Sequence, residues 1–201
     1  MKNAHETLKL PADPSKALLE WLAAAEASGV PEPTAMTLAT VDASGRPQAR
    51  IVLYKGFGEG GLQFFTNYDS PKARELQAHP YAAVVFHWKP LGRQIRIEGG
   101  VARTSDAVSD LYFASRPRGS QAGAWASPQS QPLQDREELI ARLREVEVRF
   151  AGREVPRPPN WGGFVLRPER YEFWEEREFR LHERIVYRQH GSGWLQERLA
   201  P

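Results

Sequence analysis

No cysteine occurs anywhere in the 201 residues, which excludes disulfide bonds, thiolate nucleophiles and thiolate-ligated metals. That absence leaves the compartment open. Long apolar runs are missing too: Met1-Lys2-Asn3-Ala4-His5 leads into no stretch of signal-peptide or membrane length. No membrane partner is therefore expected, and the cytoplasm is the expected location. Charge of one sign is nowhere concentrated. Lys and Arg number 27 against 25 Asp and Glu, a formal net charge of +2, and without a dense basic run no nucleic-acid partner is expected. His5, His79, His87 and His190 are scattered at no metal-ligand spacing, so no metal is expected either. Gly60-Gly61 opens no helix of a βαβ unit and reads as a turn, not a nucleotide fingerprint.

What is present is 41% hydrophobic and 26% charged residues, the balance of a chain that buries a substantial core. With no repeat and no low-complexity linker, residues 1–201 read as one domain, residues 1–12 being a polar, mobile arm. Asp13-Pro14 reads as an N-cap followed by proline at the first helical position. The helix it opens runs to about Ala27, with Leu18, Trp21, Leu22 and Ala25 on its apolar side. From Ala35 the period becomes two. Strands are predicted at 35–41, 50–55, 62–66, 81–88 and 93–103, with a helix from Ser70-Pro71 to about His79. In the last strand Ile95 and Ile97 face one way, Gln94, Arg96 and Glu98 the other. Ser105-Asp106 caps a further helix, 135–150 forms another, and the tail returns to strands at 163–167, 171–174, 181–187 and 194–199. The pattern predicts a mainly β chain with flanking helices, a barrel or a sandwich.

Two stretches carry chemistry. In 112–130, Tyr112, Arg116 and Ser120 recur every four residues and share a face while the chain stays helical. Pro117 stops the helix at Arg116, and Gly119 allows a sharp turn. A guanidinium, a phenol and a hydroxyl at such a corner suit a phosphate; the alternative is a surface loop with solvated arginines. In the tail, Arg180, His182 and Arg184 of a strand would share one side, 6–7 Å apart by strand geometry (roughly). Two arginines and a histidine so placed call for an anion opposite, or for pairing with Glu175, Glu176 and Glu178 at an exposed surface.

With both stretches in view, the chain closely resembles the pyridoxine (pyridoxamine) 5′-phosphate oxidase family, from about Leu10 to Pro201. The resemblance rests on an ordered set: Ala49-Arg50-Ile51-Val52-Leu53-Tyr54-Lys55, Phe65-Thr66-Asn67, Ser115-Arg116-Pro117-Arg118-Gly119-Ser120-Gln121, Trp161-Gly162-Gly163-Phe164 and Arg180-Leu181-His182-Glu183-Arg184. It implies a split β-barrel of Greek-key type, a homodimer with flavin mononucleotide (FMN) at the subunit interface. The implied reaction oxidises pyridoxamine or pyridoxine 5′-phosphate to pyridoxal 5′-phosphate, with O2 as acceptor and H2O2 as product.

The resemblance also implies residue roles. Arg50, Ile51, Val52, Leu53, Tyr54 and Lys55 run beside the flavin, Phe65 and Thr66 touch it, and Arg50 and Lys72 serve its phosphate. Gln94, Trp174 and Arg184 are further flavin contacts, and Gln129 and Ser130 resemble a pair contributed from the second subunit. Lys55, Tyr112, Arg116 and Ser120 would hold the substrate's phosphate. Arg180, Leu181 and His182 would lie over its ring, with Arg180 and His182 as the catalytic pair, and the C-terminal strands, 163–201, would complete the site. Glu175-Glu176-Arg177 stands where the family usually places Gln-Gly, which removes a permissive glycine ahead of Arg180 and brings two carboxylates near it. Pro71 replaces a common basic residue, and the arm lacks a basic segment. Slower turnover or a broader substrate range is expected from these departures. Two other readings stay open: a related flavin oxidase acting on another aromatic metabolite of phenazine type, and a non-catalytic barrel that stores flavin or binds single-stranded nucleic acid.

Overall fold

A computed structural model describes residues 6–201. Helix α1 (Pro14–Ala27) starts where the cap requires, the Asp13 carboxylate accepting from the Ser15 N–H at 2.8 Å. Its Leu18, Trp21, Leu22 and Ala25 are buried, and the Trp21 ring meets Phe173 edge-on at 5.2 Å. Nine strands follow, all paired antiparallel in one sheet: β1 (Ala35–Val41), β2 (Pro47–Leu53), β3 (Phe57–Gly58), β4 (Gly61–Asn67), β5 (Tyr81–Trp88), β6 (Arg93–Arg103), β7 (Trp161–Glu175), β8 (Glu183–His190) and β9 (Gly193–Arg198). The order is β2-β1-β5-β6-β7-β4-β3, with β8 also on β7 and β9 on β8. The sheet curls on itself: just beyond β2, the Lys55 N–H donates to the Gln63 carbonyl of β4 at 2.8 Å, and the Gln63 N–H to Gly56 at 2.9 Å. Ile95 and Ile97 face the core and Gln94, Arg96 and Glu98 do not, as alternation predicts.

Helices α2 (Pro71–Ala78), α3 (Asp106–Ser115), α4 (Arg118–Ala126) and α5 (Arg136–Arg149) lie along the barrel. α4 corrects the expected loop. Arg116 is extended (φ −73°, ψ 147°), so Pro117 does end α3, but a new helix begins at Arg118 and buries Ala122 and Ala126. Gly119 is merely tolerated in its first turn.

The tail differs from expectation at Pro168, which reads as a break between two strands. β7 is instead continuous, because the register shifts between Glu98 and Gly99, opposite Pro168. At that bulge no ladder donor is required of the proline. The N-terminal half of β7 pairs with β4 and its C-terminal half with β8. Residues 1–5 of the expected mobile arm lie outside the described residues; 6–12 run against the sheet. Leu8 is 8% exposed, and the Pro11 carbonyl accepts from the Tyr187 hydroxyl at 2.7 Å.

At the bulge, a Cβ on Gly99 would stand 1.9 Å from the Arg167 carbonyl oxygen, whereas one on Gly100 meets nothing closer than 3.8 Å. Gly99→Ala should therefore cost about 3 kcal/mol of unfolding free energy, the upper range for overpacking. Gly100→Ala should cost well under half of that, as urea midpoints at equal m-value will show.

Candidate active site

A cleft of about 460 Å³ opens where β2, β4 and the α3–α4 corner meet. It collects Ile51, Val52, Leu53 and Lys55 from β2 and its extension, Phe65 and Thr66 from β4, and Lys72 from α2. Tyr112, Arg116 and Ser120 enter from the corner, and Gln129 from the loop beyond α4. Three of the lining residues are cationic and none is acidic. Tyr112 stacks on Phe65 at 4.0 Å, and Trp161 continues the stack at 5.8 Å from Phe65. The Arg116 guanidinium lies 4.7 Å from the Trp161 ring centroid, and its Nη1 is buried with no hydrogen-bond partner among the described residues. Burial lowers the proton affinity of this guanidinium, with Tyr112 opposing. A buried donor left unmade costs roughly 1–3 kcal/mol, so the geometry is that of a site awaiting an acceptor.

At the other end of the cleft the Lys72 ammonium donates to Gln129 Oε1 at 3.0 Å, Thr66 Oγ1 at 3.2 Å and Ser70 Oγ at 3.3 Å. Burial, and the nearby Arg50 charge, lower its pKa from the ordinary lysine value, against an opposing pull from Glu75. Gln129 reaches this point within its own chain. Ser130, at φ +67°, is exposed and is not among the residues lining the cleft. Arg50 is not among the residues lining the cleft. Its Nη2 donates to Glu75 at 2.7 Å and its Nη1 to Thr40. Tyr54 also points inward, its ring against Phe86 and its buried hydroxyl without a partner among the described residues.

The remaining site residues gather elsewhere. Gln94, Trp174 and Arg184 lie opposite one another in register, a row across β6, β7 and β8. Arg184 is held by Glu172, which accepts from its Nε at 3.0 Å and its Nη2 at 2.7 Å and takes Arg170 at 2.6 Å on its other oxygen. His182 packs on Trp174 at 4.7 Å between ring centroids. The expectation that Arg180, His182 and Arg184 alternate along one strand is corrected: β8 begins at Glu183, and Glu178–Leu181 is a tight turn closed by the Leu181 N–H donating to the Glu178 carbonyl at 3.1 Å. Phe179 (φ 56°) and Arg180 (φ 61°) sit in the left-handed region, at roughly 1 kcal/mol or more each. Phe179, Arg180 and Leu181 are exposed there.

Neither Glu176 nor Arg177 lies in the left-handed region, and Arg177 is extended (φ −131°, ψ 161°), so the backbone at these two positions does not require glycine. Glu175 pairs with Arg93 at 2.8 Å and with Arg177 at 2.6 Å.

Residues 22–150 match the family model described as pyridoxamine 5′-phosphate oxidase, and residues 161–201 match that of the pyridoxine 5′-phosphate oxidase C-terminal dimerisation region. The chain belongs to the pyridoxine/pyridoxamine 5′-phosphate oxidase family. It is 55% identical over 189 residues to a relative of that name from Rubrobacter xylanophilus, covering 94% of this chain and 87% of the other. A relative of the same name from Myxococcus xanthus is 52% identical over 192 residues, covering 96% and 93%. Among solved structures, PhzG from Burkholderia lata, in complex with tetrahydrophenazine-1-carboxylic acid, superposes with a TM-score of 0.90 at 34% identity, covering 95% and 94%. A pyridoxamine 5′-phosphate oxidase-related, FMN-binding protein from Nostoc punctiforme shares the fold, with a TM-score of 0.75 at 20% identity and coverage of 94% and 98%. The curled sheet with its flanking helices is thus the split barrel of this oxidase family.

Glu75, Glu172 and Arg177 are the structural surprises in this family member, since nothing in a linear sequence links a buried carboxylate to the arginine it holds. Glu172 illustrates the consequence. Burial alone would raise its pKa, but hydrogen bonds from Arg184 and Arg170 outweigh that and hold it below the ordinary carboxylate value. Its contribution is therefore complete above the unfolded-state pKa and fades as pH falls through the folded-state one. Glu172→Gln should cost about 3 kcal/mol at neutral pH. That gap should narrow steadily on acidification below the ordinary carboxylate pKa, as urea unfolding across a pH series will measure.

Proposed function

We propose that this chain oxidises pyridoxamine 5′-phosphate and pyridoxine 5′-phosphate to pyridoxal 5′-phosphate, with FMN bound, O2 as electron acceptor and H2O2 as second product. The names of its relatives support the reaction. The observation that carries it on this chain is the carboxylate-free cationic cleft, with one buried Arg116 nitrogen lacking an acceptor. Cofactor and substrate each bring a phosphate, and the cleft offers a cation group at each end. Lys72 with Thr66 and Gln129 suits the FMN phosphate, Arg50 adding charge from behind while Glu75 steadies it. Arg116, with Lys55, Tyr112 and Ser120, suits the substrate phosphate, because a planar fork and two hydroxyls orient as well as attract it. Ile51, Val52, Leu53 and Phe65 supply the apolar wall that a flat ring system needs. FMN, when bound, supplies the two-electron acceptor for the carbon being oxidised.

The Gln94–Trp174–Arg184 row, with Arg180, Leu181 and His182, would meet the ligands from a second copy. Trp161 borders the cleft at one end of β7 and Trp174 stands near the other, roughly 40 Å apart along an extended strand. Two copies related by a twofold axis would each lend this end to the other's cleft, consistent with a dimerisation-region match over residues 161–201. Arg180 would favour charge developing on the substrate, and His182 would fix its position.

Purified protein should be yellow, and its flavin absorbance should bleach when pyridoxamine 5′-phosphate is added without air. A colourless protein that takes up no FMN in titration overturns the reading. Arg116→Ala should raise KM for the phosphorylated substrate by one to two orders of magnitude, the worth of a charged hydrogen bond at about 1.5–3 kcal/mol, and leave the FMN affinity near wild type. An unchanged KM contradicts the assignment. Similarity to PhzG favours one second reading, a tricyclic aromatic carboxylate as substrate. Bleaching by such a compound but not by pyridoxamine 5′-phosphate would select it.

A further inference from the structure

Ahead of the exposed Phe179–Leu181 turn lies a buried charge relay. Arg93 Nε donates to Glu175 Oε1 at 2.8 Å, and Arg177 Nη2 donates to Glu175 Oε2 at 2.6 Å. Arg177 is 2% exposed, and its Nε and Nη1 have no hydrogen-bond partner among the described residues. A guanidinium seated this deeply, on one carboxylate already shared with Arg93, fixes the backbone that carries it. That backbone does specific work: the Arg177 N–H donates to His182 Nδ1 at 3.1 Å. The same strap is anchored at Glu176, whose N–H donates to the Gly92 carbonyl at 2.8 Å. Between Arg177 and His182 the chain holds two left-handed residues, which persist only where the flanks are over-determined.

A nitrogen that accepts a backbone N–H carries no hydrogen of its own, so the neutral ring must carry its hydrogen on Nε2. The Trp174 indole, 4.7 Å from the imidazole, limits its rotation. We infer that the Arg93–Glu175–Arg177 relay is a positioning device which locks His182 as the Nε2–H tautomer and presents it, with Arg180 on the strained turn, as a preset hydrogen-bond donor toward an acceptor atom of the bound substrate. Arg177 is a positioning residue and touches no ligand. The inference rests on the proposed site for its substrate but not for its tautomer, and the test separates the two.

Long-range 1H–15N correlation spectra of the labelled, FMN-loaded protein, with His182 assigned through His182→Asn, read the tautomer directly. A single neutral form protonated at Nε2 is expected; an Nδ1–H form or an even mixture in the wild type overturns the inference. Arg177→Met keeps the bulk and removes the charge, while Glu175 retains Arg93. It should give mixed tautomers and raise KM about tenfold, the scale of a sub-ångström misplacement, with FMN affinity within about twofold by the same reasoning. Arg177→Lys should restore most of both. Arg177→Met with a single tautomer and an unchanged KM overturns the inference. Should that variant fail to fold, the wild-type spectrum still decides. A wild type that binds FMN but ignores pyridoxamine 5′-phosphate sinks the functional reading alone, and the spectrum then judges the relay by itself.

Discussion

The pairing of β6 with β7 is the constraint on which the rest depends. β7 is bonded to β6 from Glu175 opposite Arg93 to Phe164 opposite Arg103, and its other edge is divided between β4 and β8. One strand therefore belongs to the cleft wall at its start and to the Trp174–His182 strap at its finish. Its continuity depends on a bulge where Gly99 lets the Arg167 carbonyl approach, and Pro168 sits where no donor is wanted. The two ends of this one strand therefore carry different parts of the expected site.

Charge is disposed differently at the two ends. Arg50, Arg184 and Arg177 are each tied to a buried carboxylate: Glu75, Glu172 and Glu175 respectively. Such pairs contribute little net stability, since desolvation offsets attraction, but they punish loss of one partner and so fix geometry. The cations lining the cleft have no carboxylate among their lining neighbours, and Lys72 spreads its ammonium over neutral oxygens instead. Carboxylate-held arginines belong to the frame, and the cations without a carboxylate among their lining neighbours border the cleft. Within Glu175-Glu176-Arg177, which stands where a glycine-bearing turn was expected, Glu175 and Arg177 pair with each other.

Much of the frame was legible in the sequence because it follows local rules. The Asp13 cap, the alternation of β1, β5 and β6 and the stop at Pro117 each depend on a few adjacent residues. Where neighbours across the sheet decide, local reading failed. Pro168 reads as a break until the opposing bulge is seen, and α4 reads as a loop until Ala122 and Ala126 find something to bury against. Tyr112, Arg116 and Ser120 do line one cleft, though not through a shared helix face: Ser120 belongs to the next helix and arrives by the turn at Pro117. Arg180 could not be placed by strand alternation, since two left-handed residues interrupt the extended run. The grouping of Lys55 with Arg116, far apart in sequence, came from resemblance; no periodicity contains it.

The central claim is that each site is assembled from two copies, cleft from one and strap from the other. Mixing two homodimers, Arg116→Ala and Arg180→Ala, each assayed at substrate far below the raised KM so that its own activity is small, and allowing subunits to exchange tests it most directly. Random exchange makes half the dimers hybrid, each with one intact site of two, so recovery of about a quarter of wild-type activity is predicted for a symmetric dimer. Sites contained within single chains would leave every copy damaged, and a mixture no more active than its components would contradict the account.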